Sequence, residues 1–307
     1  VYIASNYTTN NGATWNSPFV RVNQSYPGRN AFGPSIVVGP QGQVYIVWAG
    51  RLNVSPFNEK NIGFAVSTNG GDNWSVNESI YECNGVNTSS LSPWGIRVNS
   101  YPSLDIDRSN GPRNGWLFNI TCEKNLAPAG SDADVVMRRS SDGGATWSAG
   151  VRVNQDPLNN GKVQLFPALT IDDDGGLNVV YYDTRNTPTG DSLQVYISRS
   201  QDGGNTWNSH AISPSGAYNS VHFINNSTGY YIQSNSNVLK TTNTGLNWSL
   251  ISATGISSNN RHIYFYNENT GYIAADLGKV YKSTNGGINW TQYSVGTLDH
   301  QYTICFK

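Results

Sequence analysis

Apolar positions along this chain come in short runs broken by Gly, Pro, Asn and Ser, a pattern that predicts many short strands joined by turns. The run Val44-Tyr45-Ile46-Val47-Trp48 lacks clean alternation, as expected of a strand covered on both faces. Around it the pattern predicts strands over Ser35–Val38, Gln43–Trp48, Gly63–Ser67 and a stretch after Trp74. The same order returns as Ala168–Ile171, Leu177–Tyr182, Gln194–Ser198 and a stretch after Trp207. Shorter versions carry Val221-His222-Phe223 with Gly229-Tyr230, and Ile263-Tyr264-Phe265 with Gly271-Tyr272. Val1–Ser5 also reads as a strand, and Tyr302-Thr303-Ile304-Cys305-Phe306 as an innermost one. No run of 18 apolar residues occurs, so no segment has the character of a membrane-spanning helix.

The turns between these strands repeat a motif, Ser/Thr-x-Asn/Asp-x-Gly-x-x-Trp. It runs from Thr8 to Trp15, Ser67 to Trp74, Ser140 to Trp147, Ser200 to Trp207, Thr241 to Trp248 and Ser283 to Trp290. Six of the nine tryptophans fill one slot, which excludes coincidence. Each residue type has a local task. Asn or Asp closes a turn by bonding main chain two residues on. Gly takes a positive φ. The hydroxyl bonds nearby backbone, and Trp folds back to bury its ring while its N–H finds an acceptor. Successive tryptophans lie 59, 73, 60, 41 and 42 residues apart, lengths that suit one four-stranded blade per motif.

These motifs resemble the Asp boxes, or bacterial neuraminidase repeats, of sialidases and related propellers, where the box joins the third and fourth strands of a blade. The resemblance covers nearly the whole chain and implies an all-β, six-bladed propeller. The predicted blades are 33–80, 101–153, 166–212, 218–251 and 261–295, with residues 1–22 and 301–307 together forming the first blade and closing the ring. The last two blades resemble the compact repeats of photosystem assembly-factor propellers. The boxes mark one blunt face. Long connections at 49–61, 75–101, 122–133, 154–166 and 184–192 share the opposite face and concentrate binding potential around blades two to four.

The fourth blade carries the strongest local likeness to a sialidase. Phe166-Pro167-Ala168-Leu169 is followed by a strand ending Tyr181-Tyr182-Asp183-Thr184-Arg185, then by Asp191 and a box. The likeness implies Asp191 as the acid/base, with Arg185 and Asp183 beside it, because a carboxylic acid can protonate a leaving oxygen and arginine can clamp a sugar carboxylate. The chain departs from that pattern. The arginine expected before Pro167 is absent, Arg261 is the only arginine after Arg199, and no Tyr–Glu nucleophile pair is identifiable. The competing reading makes Asp183 and Arg185 a structural ion pair, and it is the preferred one. Arg51 and Glu123 occupy equivalent places in blades two and three, which points to a repeated structural role. An exposed ring of Arg51, Glu123, Asp183 and Arg185 would nonetheless suit a polar ligand, with Trp94 and Tyr182 stacking on sugar faces.

Composition narrows the function classes. Charged residues are 13%, the net charge is −1 and no basic run occurs, so nucleic acid is not an expected partner. The four histidines lack metal-ligand spacing and no cofactor is expected. The acidic turns Asp105-Ile106-Asp107-Arg108-Ser109 and Asp172-Asp173-Asp174-Gly175 offer alternating oxygens of the kind calcium takes, but acidic β-turns without metal are commoner and no full loop pattern is met. Of the cysteines, Cys83 and Cys122 both fall on the long-loop face and are a disulfide candidate suited to an exported protein, with two free thiols as the alternative. Cys305 reads as a buried apolar residue. The preferred reading is a secreted or cell-surface module that binds glycan or protein without catalysis. A retaining, exo-acting sialidase-type glycosidase and an assembly scaffold are the alternatives.

Overall fold

The structure, a computed structural model, describes residues 1–7, 18–86, 88–91, 96–187, 192–211, 218–233, 236–251, 253–257 and 260–294. The first pair of strands, β1 (Ala4–Ser5) and β2 (Val20–Arg21), is antiparallel. The second blade comprises β3 (Arg29–Val38), β4 (Val44–Leu52), β5 (Glu59–Ser67) and β6 (Ser75–Glu82). A small pair, β7 (Thr88–Leu91) and β8 (Ile96–Val98), occupies the connection where only a loop was expected. The third blade holds β9 (Ser103–Ile106), β10 (Leu117–Glu123), β11 (Asp134–Ser140) and β12 (Val151–Arg152). The fourth holds β13 (Gln164–Ile171), β14 (Leu177–Asp183), β15 (Gln194–Ser200) and β16 (Asn208–Ala211). The fifth holds β17 (Tyr218–Phe223), β18 (Gly229–Gln233), β19 (Val238–Thr241) and β20 (Ser249–Ile251). The last holds β21 (Asn260–Phe265), β22 (Gly271–Ala275), β23 (Lys279–Ser283) and β24 (Thr291–Ser294).

Among the described residues, five sheets are thus four-stranded antiparallel meanders. The first strands β3, β9, β13, β17 and β21 touch one another in that order, so the sheets follow each other face to face. Alternate residues of one strand therefore serve two cores. Val179 and Tyr181 of β14 pack with Ile120 and Met137 of the third blade, while Val180 packs with Val221 and Phe223 of the fifth. This two-sided burial is why the hydrophobic alternation is blurred. The first box, Thr8–Trp15, and the C-terminal stretch 302–306 lie outside the described residues.

The box corner differs from its expected wiring in one respect. The Asx oxygen closes onto the amide four residues ahead, not two: Asn69 Oδ1 accepts from Asn73 N at 3.0 Å and Asp142 Oδ1 from Thr146 N at 2.9 Å. The hydroxyl fills the shorter gap. Ser140 Oγ donates to Asp142 Oδ1 and accepts from Gly144 N, both at 2.8 Å. Trp207 and Trp290 donate Nε1–H to the box glycine carbonyls at 3.1 and 2.7 Å. Gly144 is required twice over: its φ is +92° and a Cβ would stand 2.1 Å from the Phe64 ring of the neighbouring blade.

The cysteine pairing expected as a candidate does not form: Cys83 and Cys122 are both buried free thiols. The register explains it. Gly85 bridges Glu123 antiparallel, which places Cys83 opposite Asn125, three residues from Cys122. At about 3.3 Å per residue that is about 10 Å, beyond the reach of a disulfide. Cys122 Sγ instead donates to the Gln164 carbonyl at 3.1 Å. Burial pushes both thiols up, so neither is a thiolate at neutral pH.

Candidate ligand-binding face

The second strands of blades two, three and four end on the long-loop face with Arg51, Glu123 and Asp183, and each has a different fate. Glu123 is fully buried. Arg138 grips it with both nitrogens, Nη1 to Oε1 at 2.5 Å and Nη2 to Oε2 at 3.2 Å. Thr121 donates to the same Oε1 at 2.6 Å, and the Arg138 guanidinium lies 4.6 Å over the Tyr81 ring.

Asp183 is also fully buried. It accepts from Arg185 Nε at 2.8 Å and from the Arg185 backbone N–H at 2.6 Å, and it pairs with Arg185 Nη2 at 2.7 Å. Burial pushes its carboxyl up from the ordinary range against the pull of Arg185. Arg185 in turn stacks 4.3 Å over Tyr196, and Asp156 stands 3.6 Å away. Asp183 and Arg185 are therefore an ion pair inside a packed seam. The expected exposed ring is not exposed at Glu123 or Asp183, because a carboxylate at a strand end between two packed blades is covered and must be neutralised there. Tyr182 is half-buried, edge-on to Phe166 with ring centroids 6.4 Å apart. Trp94 and Asp191 lie outside the described residues.

Arg51 stands apart. Its guanidinium lies 4.6 Å over Phe32 and 5.5 Å over Phe57, and Phe32 stacks on Tyr101 with planes 5° apart. Among the described residues no carboxylate pairs with it, and its Nε has no hydrogen-bond partner. The faces of the guanidinium are held and its Nε is buried, which leaves the Nη groups as the donors suited to a planar oxyanion or a row of sugar oxygens. Phe57 is 43% exposed with φ +59°, a left-handed backbone that a bulky residue adopts at a cost of order 1–3 kcal/mol. Phe32, Phe57 and Tyr101 were missed from sequence. Phe32 precedes a bulge between Phe32 and Ser35 that turns its ring towards Arg51, and only register reveals that.

The acidic turns on the blunt face are used internally. Asp107 Oδ1 accepts from Ser109 N at 2.8 Å, and Asp172 pairs with Arg199 at 2.8 Å. Among the described residues no group of three or more His, Cys, Asp or Glu converges on a metal site, and no helix is long and apolar enough to cross a membrane.

Residues 190–301 match the family described as photosynthesis system II assembly factor YCF48, in line with the compact last two repeats. No curated protein matches the chain in sequence. Several solved structures share its fold. An α-L-arabinofuranosidase of Fusarium graminearum is 14% identical over 92% of this chain and 86% of its own, with TM-score 0.57. The Hadza microbial sialidase is 14% identical over 88% of this chain but only 59% of its own, with TM-score 0.55. A Dyadobacter fermentans protein of unknown function is 15% identical over 95% of this chain and 82% of its own, with TM-score 0.54. The fold is that of a sialidase-like β-propeller with Asp-box corners, and likeness at these identities speaks for the fold alone.

Proposed function

We propose that this chain is a secreted or cell-surface propeller of six blades that binds glycan or protein on the long-loop face of blades two to four, without catalysis. One observation carries the reading: the strand-end acids Glu123 and Asp183 are fully buried and committed to Arg138 and Arg185, so neither offers a free carboxyl to a substrate. The open donors at the same level belong to Arg51, flanked by Phe32 and Phe57, a grouping suited to holding a ligand. We also assign the closing strand of the first blade to residues 302–306. In β3, Ser35 and Val37 face the third blade, whereas Ile36 and Val38, on the other face of the strand, are 60% and 49% exposed.

A retaining sialidase-type hydrolase with Asp191 as acid/base is the second reading, favoured by the fold shared with a sialidase and an arabinofuranosidase. An assembly scaffold is the third, favoured by the match over residues 190–301. The deciding experiment incubates high concentrations of the protein with a fluorogenic sialoside and a fluorogenic α-L-arabinofuranoside, beside Asp191→Asn. The expected outcome is no turnover, together with retention on a glycan array that Arg51→Ala abolishes. Turnover lost in Asp191→Asn overturns the binding reading. Neither turnover nor array binding leaves the scaffold.

A further inference from the structure

A cavity of about 170 Å³ lies at the long-loop end of the seam between the β1–β2 pair and the second blade. Its buried wall is Trp48 and Asn61, and its rim carries Arg21, Arg29, Tyr26 and Glu78. Asn61 is 4% exposed and its Nδ2 donates to the Glu78 carbonyl at 2.6 Å. That bond fixes the amide and leaves Oδ1 over Gly50, where it finds no hydrogen-bond partner. Gly50 is needed for this: a Cβ there would fall 2.2 Å from Asn61 Oδ1. That oxygen is closed to solvent, so Asn61 belongs to the wall of the cavity and leaves ligand recognition to the rim.

The charges ask for a complementary group. Arg29 is half-buried, its Nε has no partner, and its side chain makes no hydrogen bond or ion pair among the described residues. Arg21 bonds Asn23 O through Nε at 2.9 Å and lies 5.2 Å over Tyr2. The Glu78 carboxylate accepts from Gln24 N at 2.5 Å. Two guanidiniums thus share the rim with one carboxylate, which leaves one positive charge uncompensated. A fork of N–H donors without an acid pairs best with a carboxylate in bidentate contact. The Glu78 carboxylate on the same rim is an acceptor suited to a hydroxyl donor from the same molecule. The cavity has the volume of on the order of five waters, enough for one sugar ring and little more.

We propose that this cavity binds a single uronate unit, a sugar ring bearing a carboxylate. The carboxylate is held by Arg29, a ring hydroxyl donates to the Glu78 carboxylate, and the sugar face rests on Tyr26. The site is separate from the Arg51 cluster and does not rest on the reading given for it.

The test is a titration followed by saturation-transfer NMR, with glucuronate, glucose and cyclohexanecarboxylate as probes on the intact protein. Glucuronate is expected to bind about tenfold or more tightly than glucose, which lacks the carboxylate, or cyclohexanecarboxylate, which lacks the hydroxyls. Arg29→Gln is expected to weaken glucuronate by about tenfold with an unchanged melting temperature, and Arg29→Lys, which keeps the charge but loses the fork, to fall between. No glucuronate signal at ~10 mM, equal binding of all three probes, or full affinity in a folded Arg29→Gln would each overturn the assignment. The probe comparison identifies the ligand without a variant, and Arg51→Ala, expected to leave glucuronate affinity unchanged, separates this cavity from the Arg51 cluster; a glucuronate signal lost in Arg51→Ala would overturn the assignment.

Discussion

Glu123 stands fully buried between strands. It is tolerated because Arg138 meets it with two nitrogens and Thr121 supplies a third donor. Removing one half of such a pair strands the other, which costs about 3–5 kcal/mol, whereas replacing both by apolar groups of similar volume is often neutral or better. Glu123→Ala is therefore expected to lose about that much stability in urea denaturation, and Glu123→Leu combined with Arg138→Met to recover most of it. A double variant as unstable as the single one would mean that the pair contributes more than mutual neutralisation. This pair was not legible in the sequence. Glu123 pairs with Asp134 across the ladder, and Arg138 lies four residues further along that strand, where only the twist and length of the side chain bring it back. Asp183 and Arg185 are two residues apart, so their pairing could be anticipated, but the contribution of Asp156 and Tyr196 from other segments could not.

At the scale of strands and corners, the Asp box was readable because its bonds join residues at most four apart, and a repeated local motif appears in the sequence as a repeat. The entry to the first strand was less so. Gly33 has φ +58° and Phe166, its counterpart in the fourth blade, φ +52°, each at a register shift inside the strand. Gly33 also has the Tyr101 ring 2.3 Å from where its Cβ would be, but a phenylalanine in the same backbone state gives no compositional signal. Seams between blades carry similar hidden terms. At the last seam His222 Nε2 lies 3.0 Å from the Phe265 carbonyl, so the neutral ring donates there, and its centroid is 4.6 Å from Tyr264. Burial, helped by nearby His262, lowers its pKa from the ordinary 6.5 to about 4. Below pH 6.5 the unfolded chain takes up a proton that the folded chain refuses until about pH 4, so stability falls as pH drops through that window. His222→Gln keeps a donor for Phe265 and has no such titration. Its melting temperature should change less between pH 7 and pH 4 than that of the parent, measured by circular dichroism. Parallel slopes would place the pH sensitivity elsewhere.

Across the whole molecule, the third, fourth and fifth blades each have a neighbouring sheet packed on both faces among the described residues. The second blade has Ala31, Ile46 and Trp48 covered by Ile3 and Val22 of the first pair, yet the inner end of the same face, at Ile36 and Val38, is open. Two exposed aliphatic residues two apart on one face of an inner strand are what a missing neighbour strand leaves behind. The segment Tyr302–Phe306 has the alternation to cover them, and that is the basis of the ring closure proposed above. The consequence is a coupling between distant parts of the chain. Ile36→Ser should destabilise the full chain by about 1.5–3 kcal/mol, the worth of a buried aliphatic side chain, but should have little effect once residues 301–307 are removed. The truncation alone should lower the melting temperature and raise binding of a hydrophobic dye, as Ile36 and Val38 come into contact with water. Equal effects of Ile36→Ser in the full and truncated chains would show that the two do not touch. The first blade would then close in some other way, and the open stripe on β3 would become a surface for another molecule.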